Sequence, residues 1–172
     1  MKIILIGFMG SGKTSVAQKL THLLNIPVVE MDDKVLQKTR TKNMHEVFFQ
    51  GGEKLLRQTE IAIAREYAAA DHTIISTGGG VVMNKIVLDY LKKNNGQVFF
   101  LNAAFTTIVE RLREDQSRPL FKDSPASQLL YQFRQPLYLK YAHHVVDVNK
   151  KTIEEIAQEI SYTAQEGRMD GK

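Results

Sequence analysis

The stretch Gly7 to Thr14 constrains the fold of this chain more than any other and reads G-F-M-G-S-G-K-T. Its spacing, G-x-x-x-x-G-K-T, is that of a phosphate-binding loop, which needs a strand before it and a helix after it. An apolar run at residues 3–6 supplies the strand. The apolar residues that follow recur at helical spacing and are Val16, Leu20, Leu23 and Leu24. A plain glycine-rich turn is the alternative, and the intact G-K-T with both flanks disfavours it.

Such a loop binds phosphate through its backbone. Its glycines allow close approach, and the N–H groups of the loop and of the following helix N-terminus point at the anion. Lys13 adds a cation for the β- and γ-phosphates, and the Thr14 hydroxyl is a ligand for Mg²⁺. We therefore predict ATP and Mg²⁺ as cofactors. The predicted nucleotide contacts in the loop are Gly10, Ser11, Gly12, Lys13, Thr14 and Ser15.

Composition sets the broad class of protein. The 172 residues predict a single domain, with a core of about residues 2–164 and a polar, frayed tail at 165–172. The chain has no cysteine, which fits the cytoplasm and excludes disulfides and thiolate zinc sites. We expect no membrane span, because no stretch is long and apolar enough. The net charge is +4, but the chain has no basic cluster with interleaved aromatics, so we expect no nucleic-acid partner. We also expect a monomer.

Short β-branched runs alternate with helical patterns along the chain. The predicted strands are residues 3–6, 28–31, 73–76, 98–101 and 144–148. The predicted helices after the first are residues 33–40, 43–49, 53–67, 84–93, 106–113, 127–141 and a last one opened by a capping box at 152–155. Gly51-Gly52 is expected to break the third helix, Pro136 to kink or restart a later one, and Ile86, Val87, Tyr90 and Leu91 to share a face. This pattern predicts a three-layer α/β/α domain with a five-stranded parallel sheet.

Functional candidates cluster where strands end. In a parallel sheet, ligands bind outside the carboxyl ends of the strands. The phosphate loop follows strand one, Glu30 and Asp32 follow strand two, and Gly78-Gly79-Gly80 follows strand three. We therefore expect all three to meet at one crevice. Three glycines after a buried strand also indicate that backbone approaches a ligand closely.

Several charged residues have two readings. At Glu30, Asp32 and Asp33, one carboxylate could orient Mg²⁺-bound water and another could accept a proton, or Asp32 or Asp33 could cap a helix. Arg57 and Arg134 suit a carboxylate ligand, but each could lie on the surface, and Arg57 could pair with Glu60 in its own helix.

The polar stretch 114–125, without periodicity, predicts a lid at about residues 112–126. Within it, Arg118 is either a lid arginine that meets the γ-phosphate or a solvated charge. His143-His144 has no third ligand at metal spacing and is expected to be structural.

The sequence resembles shikimate kinases from about residue 2 to 160. Beyond the phosphate loop, the matching pieces are E-M-D at 30–32, G-E-K-L-L-R at 52–57, S-T-G-G-G at 76–80, R-P-L-F at 118–121 and R-Q-P-L-Y at 134–138. The loop is common to many kinases and ATPases, whereas the spaced set is much more specific. The resemblance implies the nucleoside-monophosphate-kinase-like branch of phosphate-loop proteins. It also implies transfer of the γ-phosphoryl of ATP to the 3-hydroxyl of shikimate, in chorismate and aromatic amino-acid synthesis.

The resemblance also implies roles for single residues. Lys13 would hold the phosphates, Thr14 the Mg²⁺, and Asp32 the shikimate hydroxyls as candidate base. The implied substrate contacts are Asp32, Arg57, Gly78, Gly79, Gly80 and Arg134, with both arginines on the carboxylate. Arg118 would be a catalytic lid arginine that also contacts ATP, Arg111 would lie near adenine, and Phe48 could line the substrate pocket.

One position departs from the family pattern. The family has Asp-x-Asp in the acidic segment, and Glu30 stands at its first position here. The longer side chain would reposition any Mg²⁺-bound water, and Asp33 is the second choice for the role of Asp32. Two other functions stay open: a phosphate-loop kinase of another small anionic polyol, and a nucleotide-binding module without transfer activity.

Overall fold

The computed structural model of the chain describes residues 1–114 and 125–169. In this part of the chain, five strands form one parallel sheet in the order β2-β3-β1-β4-β5. The strands are β1 Lys2–Ile6, β2 Val28–Glu30, β3 Thr73–Ser76, β4 Gly96–Asn102 and β5 His144–Asp147. The helices are α1 Lys13–Leu24, α2 Met31–Thr39, α3 Met44–Glu66, α4 Lys85–Lys92, α5 Phe105–Glu114, α6 Pro125–Tyr141 and α7 Ile153–Met169, with a 3-10 helix at Val81–Met83. The predicted α/β class with a parallel sheet is confirmed.

The central strand β1 explains where the site lies. All its residues are buried, because β3 and β4 flank it and helices cover the sheet. A parallel strand that is buried on both faces reads as an unbroken apolar run, as residues 3–6 do. Each fully buried isoleucine or leucine there contributes about 2 kcal/mol to stability. The phosphate loop therefore emerges from the middle of the carboxyl edge of the sheet.

The second β-α unit corrects the capping hypothesis. Strand β2 ends at Glu30, and α2 begins at Met31, which was predicted to be the last residue of the strand. Asp32 and Asp33 lie in the first helical turn, and the N-cap residue is Glu30, whose side chain makes no cap hydrogen bond. Neither Asp32 nor Asp33 caps the helix, because the helix starts too early for them.

Helix α3 has the predicted interruption. Gly52 adopts φ 62° and ψ −159°, which lies in a region that residues with a Cβ rarely enter. At the start of the helix, Asn43 accepts a hydrogen bond from the Glu46 N–H at 3.0 Å. The Glu46 carboxylate reaches the Lys42 N–H at 2.8 Å. The predicted break and the Asn43 cap are both confirmed.

Helices α4 and α6 differ from their predictions. On α4 the buried stripe is Val87, Leu88 and Leu91, and Ile86 is exposed, because either stripe has helical spacing and tertiary packing decides between them. Helix α6 spans Pro136 without a restart.

Helix α7 continues to Met169, past the predicted start of a frayed tail at residue 165. The capping box that opens it is confirmed, since Thr152 N–H reaches Glu155 at 2.7 Å and Glu155 N–H reaches Thr152 Oγ1 at 3.2 Å.

The predicted lid falls mostly outside the described residues. Leu112, Arg113 and Pro125 belong to helices, so they are not part of a loop. Arg118 lies among the residues that the structure does not describe. None of the described helices is long and apolar enough to cross a bilayer.

Candidate active site

The phosphate loop is folded around its own lysine. Lys13 is buried, and its Nζ donates to the carbonyl oxygens of Gly7 at 2.8 Å and Phe8 at 3.0 Å. Gly12, the residue before α1, has φ 96°, so the chain turns sharply into the helix there. The positive end of α1 and the Lys13 ammonium group are therefore at the same place, as anion binding requires.

A cavity of about 550 Å³ opens beside this loop at the carboxyl edge of the sheet. The predicted site residues that line it are Gly10, Gly12, Lys13, Thr14, Ser15, Asp32, Gly78, Gly79 and Arg111. Lining residues that the sequence did not single out as contacts are Met9, Thr77, Leu112, Lys151, Thr152 and Ile153. The loop residue Ser11 is buried and does not line the cavity, and neither do Gly80, Arg57 and Arg134.

Arg111 connects the phosphate loop with the segment that follows β5. Its Nη1 donates to the Ser11 carbonyl at 3.3 Å, and its Nη2 donates to the Val148 carbonyl at 3.1 Å. The start of α7 lies on the same side of the cavity and contributes Lys151, Thr152 and Ile153. The sequence could have predicted this wall of the cavity, because the capping box marks a helix N-terminus directly after a strand.

Glu30 and Thr14 form a pair that fits a divalent cation. Thr14 Oγ1 donates to Glu30 Oε2 at 3.4 Å, whereas Glu30 Oε1 is buried and has no hydrogen-bond partner among the described residues. Burial raises the pKa of Glu30 above its usual value, and the Ser76 and Thr14 hydroxyls offset part of this. Hydroxyl and carboxylate oxygens are ligands that Mg²⁺ prefers. Among the described residues there is no group of three or more His, Cys, Asp or Glu side chains that could hold a metal ion.

The triple glycine is packed between three different parts of the site. A Cβ atom on Gly78 would lie 2.9 Å from Asp32 Oδ1, and one on Gly79 would lie 3.1 Å from the Met9 nitrogen. A Cβ atom on Gly80 would lie 2.8 Å from Arg57 Nη2. A side chain at any of the three positions would therefore press on Asp32, the phosphate loop or Arg57, and only at Gly79 is the neighbouring atom part of the backbone. We call residues 78–80 the glycine turn.

Two glutamates hold Arg57. Its Nη1 donates to Glu60 Oε2 at 2.7 Å, which confirms the predicted pairing within the helix. Its Nε and Nη2 donate to a single oxygen of Glu53, at 3.2 and 3.1 Å. The Glu60 side chain is 5% exposed and that of Glu53 is 66% exposed, so Glu60 is the fixed partner and Glu53 the exchangeable one. Burial lowers the pKa of Arg57, but the two carboxylates raise it more, and the guanidinium stays charged.

Arg134 on helix α6 lies beside the phosphate loop. Its guanidinium carbon lies 5.9 Å from the centre of the Phe8 ring, and its Nε is buried without a hydrogen-bond partner in the described structure. Tyr138, one helical turn further on, donates its hydroxyl proton to the Gly79 carbonyl at 2.5 Å. Arg57 therefore lies against Gly80, whereas Arg134 is connected to the glycine turn through Tyr138, and a shared carboxylate between the two arginines remains a prediction.

The remaining candidates have structural or peripheral positions. His143 accepts a hydrogen bond from the Val98 N–H at 3.2 Å, and the His144 ring stacks on Phe99 at 4.7 Å, as a structural role predicts. Phe48 is about half exposed, and its place in a substrate pocket stays a prediction. Tyr138 was missed as a functional residue, although it closes the R-Q-P-L-Y motif.

Comparison with known proteins decides the family. The family model described as shikimate kinase matches residues 9–165. The chain belongs to the shikimate kinase family. A shikimate kinase of Caldanaerobacter subterraneus is 34% identical over 96% of this chain and 98% of its own length. One from Aquifex aeolicus is 32% identical over 99% of this chain and its entire length. The predicted family is thus confirmed.

Solved structures of shikimate kinases share the fold along nearly the whole chain. The enzyme of Acinetobacter baumannii in complex with shikimate superposes with a TM-score of 0.85 at 28% identity, covering 96% of this chain and 93% of that one. The Aquifex aeolicus enzyme gives a TM-score of 0.83 at 31% identity, covering 99% of this chain and 100% of that one. The phosphate-loop kinase architecture predicted from the sequence is therefore confirmed.

Proposed function

We propose that this chain transfers the γ-phosphoryl group of ATP to the 3-hydroxyl of shikimate, on the route to chorismate and the aromatic amino acids. It is an ATP-dependent phosphotransferase with an alcohol acceptor, in line with its family. The observation that carries the assignment is the glycine turn, against which Asp32, the phosphate loop and Arg57 are all packed. A nucleotide and a small acceptor bound there would be adjacent.

Each group has a role that fits phosphoryl transfer. Reaction by this route depends on positioning and charge neutralisation rather than on covalent chemistry by the protein. Lys13 neutralises the phosphates and, when substrate binds, exchanges its two loop carbonyls for phosphate oxygens. Asp32 lines the cavity and binds the acceptor hydroxyls, with its carboxylate as the proton acceptor.

The metal role falls to Thr14 and Glu30. Mg²⁺ bound with ATP neutralises charge on the transferred group. Thr14 Oγ1 and the unpartnered Glu30 Oε1 are the oxygens that would hold it or its water. The Glu30 side chain is one methylene longer than the aspartate usual in the family, yet it reaches the threonine hydroxyl, so the departure is compatible with a metal site.

The acceptor carboxylate is assigned to Arg57 and Arg134. Arg57 lies against Gly80, Arg134 interacts with the tyrosine that binds Gly79, and a planar guanidinium pairs well with a carboxylate. The role of Arg118 as a lid arginine is part of the proposal and rests on the R-P-L-F resemblance alone. We also propose that the enzyme acts as a monomer in the cytoplasm, without a nucleic-acid or membrane partner.

The first experiment tests the reaction itself. Purified protein, MgATP and shikimate should yield ADP in a coupled spectrophotometric assay and a 3-phosphorylated product by ³¹P NMR. Gluconate and a shikimate analogue without the carboxylate serve as competing acceptors. Faster turnover of gluconate would favour a kinase of another anionic polyol. Tight ATP binding without acceptor-dependent ADP release would favour a nucleotide-binding module.

A matched pair of variants tests the carboxylate site. Arg57→Ala should raise the KM for shikimate about 100-fold, since a charge-assisted hydrogen bond contributes about 1.5–3 kcal/mol, and should change the KM for ATP little. Arg65→Ala, an exposed arginine of the same helix, should change neither constant. Equal losses for ATP and shikimate in Arg57→Ala would count against the clamp.

A further inference from the structure

The Tyr138 hydroxyl is a buried donor that the reaction as described above does not use. The side chain is fully buried, and its ring stacks on Phe100 with the centres 5.0 Å apart. Its hydroxyl donates to the Gly79 carbonyl at 2.5 Å, across 59 residues of sequence. Burial raises the pKa of Tyr138 far above its usual value, against the lowering effect of Arg134. The hydroxyl therefore keeps its proton and remains a donor.

This hydrogen bond fixes the direction of a second group. In a planar trans peptide, the C=O of one residue and the N–H of the next point in opposite directions. The peptide bond between Gly79 and Gly80 is trans. Because the Gly79 carbonyl points at Tyr138, the Gly80 N–H points away from α6. Gly80 precedes the 3-10 helix Val81–Met83, so its N–H has no partner within that helix, and none is found among residues 1–114 and 125–169.

The same tyrosine also faces Arg134. The two residues are four positions apart on α6, so their side chains lie on one face of the helix. The guanidinium interacts with the Tyr138 hydroxyl, and its Nε is left buried without a hydrogen-bond partner in the described structure. An unpartnered, buried charged donor is expected to have a ligand. One hydroxyl thus connects the Arg134 guanidinium with the peptide that carries the Gly80 N–H.

We propose that Tyr138 is a positioning residue that aims the Gly80 N–H and the Arg134 guanidinium at the same bound acceptor. The inference rests on the proposed function and extends it to a residue that does not touch substrate. The hydroxyl acts on both groups at once, because hydrogen bonds in a chain within a low-dielectric interior reinforce one another. Removal of the hydroxyl frees the glycine peptide to rotate and the guanidinium to move.

Two tyrosines on one helix provide the test and its control. Tyr138→Phe keeps the ring on Phe100 and removes only the hydroxyl. Tyr131→Phe removes a comparable hydroxyl, which donates to the Ala103 carbonyl at 2.9 Å. Tyr138→Phe should raise the KM for shikimate about tenfold, the effect of one lost buried hydrogen bond, and leave the KM for ATP within about twofold. Tyr131→Phe should leave both constants within about twofold.

A double-mutant cycle with Arg134→Ala separates positioning from general destabilisation. If Tyr138 acts through Arg134, the KM penalty of Tyr138→Phe should shrink by about threefold or more in the Arg134→Ala background. Fully additive penalties would overturn the connection. A parallel rise in both KM values together with a lower melting temperature would show a structural role only and would also overturn it.

A measurement on the unmodified protein covers the case in which Tyr138→Phe fails to fold. The chain has 11 glycines, so ¹⁵N-glycine labelling gives a small set of amide signals, and Gly80→Ala identifies the one from Gly80. Saturating shikimate should shift the Gly80 amide proton strongly. An unchanged Gly80 signal in a protein that phosphorylates shikimate would overturn the inference alone. No turnover of shikimate at all would instead overturn the proposed function, and the inference with it.

Discussion

Adjacent alanine substitutions in the glycine turn should impair different substrates. A methyl group on Gly80 would meet Arg57 Nη2 at 2.8 Å, and one on Gly79 would meet the Met9 nitrogen at 3.1 Å. The first neighbour is the end of a flexible side chain, and the second is backbone of the phosphate loop. The backbone of Gly80, with φ −89°, is also open to alanine. The two variants therefore differ in the neighbour that the added methyl group meets. Gly80→Ala tests the acceptor side at Arg57, and Gly79→Ala tests the nucleotide side at the phosphate loop.

The magnitudes follow from these distances. An ordinary contact needs about 3.5 Å, so the Arg57 guanidinium must retreat by about 0.7 Å in Gly80→Ala. A displaced charge-assisted hydrogen bond loses part of its roughly 1.5–3 kcal/mol, which corresponds to a rise of about tenfold in the KM for shikimate. In Gly79→Ala the loop itself must move, and overpacking of this kind costs about 1–3 kcal/mol. The melting temperature should then fall by about 3–10 °C, with a higher KM for ATP.

The assay is initial-rate kinetics with each substrate varied at saturation of the other, together with thermal unfolding of each variant. Gly80→Ala should melt within about 3 °C of the parent, because only a side chain retreats. Gly79→Ala should keep its KM for shikimate closer to the parent value than its KM for ATP. If both variants raise both constants by similar factors, the glycine turn does not divide the site as described.

Three further predictions address single charged groups. Lys13→Ala should lower kcat by about a thousandfold, since it removes a cation from the transferred phosphate, and retention of a tenth of the rate would contradict this role. Glu53→Gln should lower the KM for shikimate by at most about fivefold, because it releases Arg57 from an exposed ion pair. Glu66→Gln on the same helix should leave this KM unchanged. A raised KM in Glu53→Gln would show that Glu53 does not compete with shikimate for Arg57. The binding of Mn²⁺ with an unreactive ATP analogue, measured by electron paramagnetic resonance, should weaken as the pH falls from about 8 to 5. Burial raises the pKa of Glu30, so its carboxylate is protonated in this range and is lost as a ligand. An identical pH profile in Glu30→Gln would exclude Glu30 as a ligand.

The fold was predictable where local pattern and topology agree. The strand, loop and helix around residues 2–24 follow from one motif, because its chemistry requires that context. The position of the crevice at the carboxyl edge of the sheet follows from the parallel topology alone. The buried face of α4 did not follow, since its sequence offers two apolar stripes and only tertiary packing selects Leu88 over Ile86. Local propensity likewise allowed either a kink or a restart at Pro136; one helix spans the residue, so there is no restart, and a kink stays a prediction.

The site was predictable in its residue types and not in its contacts. Both pairings of Arg57, with Glu60 and with Glu53, have helical spacing, but the sequence does not show that Glu60 is buried and Glu53 exposed. The contact of Tyr138 with Gly79 joins elements 59 residues apart and leaves no local pattern. Sequence motifs therefore mark which residues gather at the site, and packing decides which of them hold the others in place.

As a proposed ligand of the acceptor carboxylate, Arg134 should also determine which acceptors the site rejects. Its Nε is buried without a hydrogen-bond partner in the described part of the chain, so an acceptor with a carboxylate satisfies a donor that already lacks water. An analogue without the carboxylate leaves the buried Nε without a partner, which costs about 1–3 kcal/mol. Sites built to pair a polar group discriminate strongly against substrates that lack it, whereas apolar pockets do not. A carboxylate-free analogue should thus lose kcat/KM by at least about 100-fold, and Arg134→Ala should abolish most of that preference. If the variant still discriminates as strongly, the selectivity comes from elsewhere in the cavity.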